Sequence, residues 1–243
     1  IANNIVAKEL TEVERYKEDV LDETLCMADD PKDQLTQLVV GYIQEMGDDD
    51  QVNICSYDNG NGVALDGWGF NGDEDLVSID LFLSVYQSPE EKRITANELD
   101  RHFNWLYRFF EQSQSGKVLG KIEDTKSELY QVAELIHSTK KIDRIRLFLL
   151  TNAIAPANYE KEAVELEDGT SCEYIIWDAK RVMRQNNIIS GKDPIVVDFD
   201  ADFNSPLPCI QMPDVSENVA CYLCVIPGTA LAQIYHKYHQ QTL

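Results

Sequence analysis

The chain holds 243 residues, 44% of them hydrophobic, with six cysteines and a formal charge of −22. That length and apolar share suit one large globular domain or two small ones. The acidity argues against a nucleic-acid binder that works through its own surface, because phosphate binding runs on Lys and Arg.

The charge is concentrated. Residues 1–50 carry 14 acids and 4 bases, and residues 51–100 carry 10 acids and 2 bases. Residues 101–150 form the basic block, with 9 bases and 6 acids. No apolar run approaches the roughly 18 residues of a membrane span, and no signal-peptide pattern opens the chain. Most of the cysteines lie among apolar neighbours, as in Val219-Ala-Cys221-Tyr-Leu-Cys224-Val. Free thiols in a cytoplasmic protein fit that better than a disulfide framework.

Helical spacing over residues 5–27 sets Val6, Leu10, Val13, Val20, Leu21 and Leu25 among dense charges. Asp29, Asp30 and Pro31 break that helix. A second helix runs from about Asp33 through Leu35, Leu38, Val39, Tyr42 and Ile43 to near Gly47. A three-strand meander follows, with strands at 52–57, 63–70 and 76–86 joined by turns at 58–62 and 71–75. Both turns contain the Asn-Gly chemistry of hairpins. Thr95 and Glu98 form a capping box for a helix to Ser113. A further helix covers 125–138, and Arg144–Thr151 reads as a buried strand. Residues 163–177 suggest a strand and turn leading into a helix at 178–185. A β-rich portion begins near residue 190, with strands at 195–199, 209–211 and 219–225 and a helix from about Thr229.

This order predicts an α/β fold, with helices packed on a central mixed β-sheet that contains the meander, followed by a smaller β-rich portion. The expected domains are 1–152 and 153–243. The last helix carries no stop signal, which predicts a chain continuing past Leu243.

The third strand alternates Ile79, Leu81, Leu83 and Val85 with Asp80, Phe82, Ser84 and Tyr86. The preceding strand carries Asp66, and antiparallel pairing can bring it toward Asp80. Two converging carboxylates suit Mg²⁺, which takes oxygen ligands, and Glu45 is the candidate third ligand. Such a metal can activate water against a phosphodiester. An ordinary role competes, with Asp66-Gly67 at a bulge and Asp80 as a solvated strand residue.

The order helix, three-strand meander, helix, strand resembles the PD-(D/E)xK nuclease core. In that family an acid on the second strand precedes (Asp/Glu)-x-Lys on the third, and here Asp66 and Asp80 match the acids. Phe82 stands where that core has its lysine, and Arg101 and Arg108 are the helical bases that can replace it. More specifically, the chain is similar to the N-terminal portion of the abortive-infection phage-resistance family. The stretches that carry the likeness begin with Ala64-Leu-Asp-Gly-Trp68, Ile79-Asp-Leu-Phe-Leu83 and Arg146-Leu-Phe-Leu-Leu-Thr151. They continue with Glu173-Tyr-Ile-Ile-Trp-Asp178 and Cys224-Val-Ile-Pro-Gly-Thr-Ala-Leu-Ala-Gln-Ile-Tyr235. The resemblance implies an antiphage role in a bacterium. It leaves two functions open: a metal-dependent nuclease when the protein is complete, or a degenerate nuclease fold serving as an interaction or oligomerisation module. The partners expected are a second copy or another protein, with nucleic acid only for the full-length protein and no membrane.

Three other patterns read as structural. Cys221-x-x-Cys224 with His236-x-x-His239 has near-zinc spacing, but residues three apart on a strand point to opposite faces. The aromatic run from His102 to Phe110 fits a helical core stripe of Phe103, Leu106, Phe109 and Phe110. Lys140, Lys141, Arg144 and Arg146 are expected to pair with the acidic N-terminal helices.

Overall fold

The computed structural model describes residues 11–46, 52–72, 77–190, 208–211 and 222–233. The chain divides into two compact units, residues 1–183 and 184–243. The first unit is built on a six-stranded sheet in the order β1-β2-β3-β4-β6-β5.

The sheet strands are β1 (Val52–Asp58), β2 (Ala64–Gly72), β3 (Val77–Val85), β4 (Arg144–Thr151), β5 (Val164–Glu165) and β6 (Ser171–Trp177). β1, β2 and β3 form the expected antiparallel meander. β4 then pairs parallel to β3, and β6 parallel to β4, while β5 returns antiparallel along β6. The division between units falls beyond residue 152 because β6 belongs to the same sheet as β4.

The helices form where local chemistry starts and stops them. α1 (11–16) runs through a π-helical turn, Lys17–Asp22, into α2 (Glu23–Cys26). The Asp30 side chain caps α3 (Pro31–Glu45) by accepting from the Lys32 and Asp33 amides, with Pro31 in the first turn. The expected capping box starts α4 (Ala96–Gln114), with Thr95 and Glu98 each bonded to the other's backbone amide. Ser127 caps α5 (Glu128–Ser138) one way, its Oγ accepting from the Tyr130 amide. α6 (Ala179–Ile189) follows β6.

Two cores sandwich the sheet. On one face Ile79, Leu81 and Leu83 of β3 and Ile145, Leu147 and Leu149 of β4 pack with Leu99, Phe103, Leu106 and Phe110 of α4 and with Val132 and Ile136 of α5. The aromatic stripe of α4 is therefore packing, as its spacing implied. On the other face Phe82, Phe148 and Leu150 pack with Leu35, Val39 and Ile43 of α3, Leu21, Leu25 and Trp177. The Phe82 and Phe148 rings stack with centroids 4.6 Å apart. Among the described residues, no helix is long and apolar enough to cross a membrane.

In the second unit β7 (Cys209–Gln211) pairs antiparallel with β8 (Tyr222–Cys224), and residues 228–233 are helical. Cys209 and Cys224 lie directly opposite, with sulfurs 2.8 Å apart, and both are exposed. Cys26 is exposed as well, whereas Cys172 is buried and Cys55 half-buried. The expected strand at 195–199, Cys221, His236 and His239 lie outside the described residues.

Phe82 is fully buried at the centre of the second core. Phe82→Ala should lower unfolding stability by about 3–5 kcal/mol. Urea denaturation followed by far-UV circular dichroism measures the loss, which should shift the midpoint without changing the slope.

Candidate functional site

β3 is covered on both faces, yet one of those faces carries Ser78, Asp80 and Ser84. All three are buried, and burying a polar group without a partner is costly. The parallel register with β4 supplies partners rung by rung. Ser78 lies opposite Arg144, Asp80 opposite Arg146, Phe82 opposite Phe148 and Ser84 opposite Leu150. Arg144 Nε donates to Ser78 Oγ at 3.1 Å. Arg146 grips Asp80 with two donors, Nε to Oδ1 at 2.7 Å and Nη2 to Oδ2. The guanidinium also lies over the Phe148 ring, 5.3 Å from its centroid. Ser84 Oγ shares a 2.7 Å hydrogen bond with Thr36 of α3.

Asp66 occupies a different place. The β2–β3 register sets Gly69 opposite Asp80 and Gly67 opposite Phe82. Asp66 therefore lies beyond Phe82. It faces an irregularity in β1 between Ile54 and Tyr57, so the extra residue lies on β1 and not at Asp66-Gly67. Its Oδ2 accepts from the Ser84 amide at 2.8 Å, and its Oδ1 from Lys32 Nζ at 2.7 Å. Ser84 is four residues along β3 from Asp80, roughly 13 Å at strand spacing. The structure thus does not bring Asp66 and Asp80 together. Each has its own cation, and the Phe82–Phe148 stack stands between them. Glu45 is exposed at the far end of α3, thirteen residues and roughly 20 Å along the helix from Lys32. Among the described residues no three His, Cys, Asp or Glu side chains gather as a metal site would need.

The basic cluster also pairs differently from expectation. Arg144 and Arg146 turn into the sheet toward β3, and Lys141 pairs with Asp143 beside it. The acids of the N-terminal helices are met by Lys92 and Arg93 instead, through Glu18 and Glu14. The cause is register: Arg144 and Arg146 alternate onto the face of β4 that meets Ser78 and Asp80.

A cavity of about 330 Å³ opens at the C-terminal end of β3. Lys32 of α3, Ser84 of β3, Tyr86 just past that strand, Asp58 of β1, and His102 and Trp105 of α4 contribute to its wall. His102 is 8% exposed, and its Nδ1 makes no hydrogen bond of ordinary geometry. Burial first, and then the charge of Arg101, hold that imidazole below its ordinary pKa, with the nearby Glu98 carbonyl opposing them. The ring is accordingly neutral near pH 7. The Asp58–Gly62 turn packs against Trp105 because residue 62 lacks a side chain. Gly62 has φ +77°, and a Cβ there would lie 2.9 Å from Trp105 Nε1. None of Lys32, His102, Trp105 or Arg146 carries a local motif, so only tertiary placement reveals them.

A family model described as the abortive infection phage resistance protein N-terminal domain matches residues 35–184, more than half of the chain. No curated protein and no solved structure matches it.

Two outcomes test the ion pairs. Arg146→Met should cost about 3–5 kcal/mol, because it strands a buried carboxylate, while Asp80→Leu combined with Arg146→Met should lose far less. Chemical denaturation of both single variants and the double variant gives the coupling. For Asp66, burial raises the carboxyl above its ordinary pKa by more than Lys32 and the Ser84 amide lower it. Its stabilising share is therefore complete below the unfolded-state value and is lost as pH rises through the folded-state value. Asp66→Asn, which cannot ionise, should gain on the parent protein as pH climbs from the carboxylate range to neutrality. Thermal unfolding across that range checks this, and a pH-independent difference would refute it.

Proposed function

The chain thus belongs to the abortive infection phage resistance family, and we propose that it serves in phage defence as a catalytically silent, nuclease-like scaffold for protein contacts. One observation carries this reading: the two acids of the nuclease pattern are committed to structural ion pairs. Asp80 is bound at both oxygens by Arg146, and Phe82 fills the lysine position with a buried ring. A carboxylate saturated by a guanidinium inside a packed sheet has no lone pairs directed at solvent for Mg²⁺ or Mn²⁺.

The second unit supports the contact role. Its described residues Ile210, Tyr222, Leu223 and Val225 are each more than half exposed, and large exposed apolar groups on and beside one small two-stranded sheet suit an interaction surface. The occupant proposed is a second copy or another protein of the defence system, rather than a nucleic acid or a membrane. The cytoplasm is the compartment that suits its thiols.

A second reading keeps the nuclease. Lys32 places an ammonium 2.7 Å from Asp66, so a helix supplies the lysine that β3 lacks. In that reading Asp66 and Lys32 are the working pair, Mg²⁺ joins through Asp66, and Asp80 is structural.

A cleavage assay on the full-length protein separates the two. Linear and supercoiled DNA and single-stranded RNA are incubated with Mg²⁺ or Mn²⁺. The scaffold reading expects no metal-dependent products. Cleavage abolished by both Asp66→Ala and Lys32→Ala would establish the nuclease instead. Sedimentation over a range of concentrations tests the contact role, with Leu223→Lys expected to weaken self-association or partner binding.

A further inference from the structure

The second unit sets two thiols face to face where strand pairing alone does not require them. β7 and β8 place Cys209 directly opposite Cys224, and both are exposed. We infer that this pair is a reversible redox site, whose thiols close to an intrachain disulfide by exchange with a low-molecular-weight disulfide.

The ladder is the first support. The Val225 amide donates to the Pro208 carbonyl at 3.2 Å. The hydrogen-bonded rung therefore lies one step out, and Cys209 and Cys224 form a non-hydrogen-bonded pair. Such pairs hold opposite Cα atoms about 4.5 Å apart, inside the roughly 4.4–6.8 Å that a disulfide spans. Residues directly opposite also share one face of the sheet. The two side chains are turned toward each other, with sulfurs 2.8 Å apart, so the bond can close without a change of register.

Access is the second support. Cys172 is buried and Cys55 half-buried, and burial raises both thiols above their ordinary pKa. Cys26 is exposed, but its sulfur meets the Tyr86 hydroxyl, not a second thiol. Among the described cysteines, the hairpin pair thus combines exposure with a thiol partner. Exposed disulfides are the labile, regulatory kind, and in a reducing compartment a dithiol of this type serves redox sensing more often than structure.

The exchange balances. One cysteine, as thiolate, attacks the small disulfide RS–SR, forming a mixed disulfide and releasing RS⁻. The other cysteine then attacks the protein sulfur of that mixed disulfide, forming the Cys209–Cys224 bond and releasing the second RS⁻. The two thiol protons pass to the leaving thiolates. The cysteine pair loses two electrons, and the reagent is reduced to two thiols. The hydrogen bond to Cys224 raises the Cys209 thiol above its ordinary pKa, so Cys209 keeps its proton longer and the first attack falls to Cys224. Ile210 and Leu223 alternate onto the face opposite the cysteines, so the bond ties their strands together without covering them. The inference concerns the thiols alone and stands apart from the scaffold reading, which survives if it fails.

The test incubates the full, reduced chain with glutathione disulfide, blocks the remaining thiols with N-ethylmaleimide and counts the labels by mass spectrometry. The oxidised chain should carry two fewer labels than its six cysteines allow, and dithiothreitol should restore them. Peptide mapping with cleavage after Tyr222 separates Cys221 from Cys224. It should find the Cys209–Cys224 bond favoured by about tenfold or more over any pairing through Cys221. In urea that preference should vanish, because Cys221 is nearer to Cys224 in sequence and the shorter loop closes more readily. Cys209→Ser and Cys224→Ser should each stop at a mixed disulfide with one glutathione, whereas Cys221→Ser should still close the bond. Far-UV circular dichroism checks that the serine variants fold, and mapping of the parent chain decides the matter if they do not. The inference is overturned if the native bond joins Cys221 to either partner, if only interchain bonds form, or if both cysteines keep their labels under an excess of glutathione disulfide.

Discussion

Strand β3 has to bury both of its faces while one of them carries a carboxylate, and the Arg146 guanidinium is what makes that tolerable. An unpaired charge at the position of Asp80, 1% exposed, would prevent the sheet from closing under α3. The two-donor contact neutralises it, and the same guanidinium lies over the Phe148 ring. The same rung-by-rung match continues along the strands, with Ser78 against Arg144 and Phe82 against Phe148. Parallel pairing is thus fixed by chemistry at several positions, since a slip of one residue would set Asp80 opposite an apolar side chain.

From that fixed pair the rest of the first unit takes its place. The apolar stack of Phe82 on Phe148 gives α3 its floor, and α3 in turn presents Lys32 to Asp66 and Thr36 to Ser84. The π-helical turn is tied down separately. Its buried Lys17 bonds Asp22 at 2.5 Å, and Asp22 accepts from Asn152 at the end of β4. Asn152 also exchanges hydrogen bonds with the Gln87 backbone. The N-terminal helices are therefore held to the sheet by a buried polar network, and their surface acids contribute little through exposed partners such as Lys92. The net charge lies on the outside of a structure whose interior charges are balanced.

Much of this was legible in local sequence, and the division is physical. The Asn-Gly turn at 59–60, the Thr95–Glu98 capping box, the α4 stripe and the Arg144–Thr151 strand are short-range signals, and each forms where it was expected. The antiphage family and the mixed α/β architecture follow from their order. The candidate site was less readable because it depends on register. Asp66 and Asp80 look close when the meander is drawn on paper, but the pairing of Gly69 with Asp80 and Gly67 with Phe82 sets Asp66 three residues along the ladder from Asp80, where it bonds the Ser84 amide. Arg146 was visible only as a basic residue, since its partner lies across a parallel crossover of more than sixty residues. Lys32 and His102 had no signal at all, because a cavity wall is assembled from elements distant in sequence.

The acidity of residues 58–80 takes on a different meaning in this light. Six acids and no base in that stretch suggest a cluster that awaits a cation, yet the two buried in the sheet, Asp66 and Asp80, are already served by Lys32 and Arg146. Restoring a metal at Asp80 would require withdrawing Arg146 from a buried site, and removing one member of such a pair costs several kcal/mol before any ligand is gained. Asp66 is in a different position. Its cation comes from a lysine whose side chain is 36% exposed at the mouth of a cavity, so exchanging that partner disturbs no core. The chemistry open to this sheet is therefore unequal at Asp66 and Asp80: Asp80 is locked into stability, and Asp66 is paired with a lysine that lines the cavity at the C-terminal end of β3.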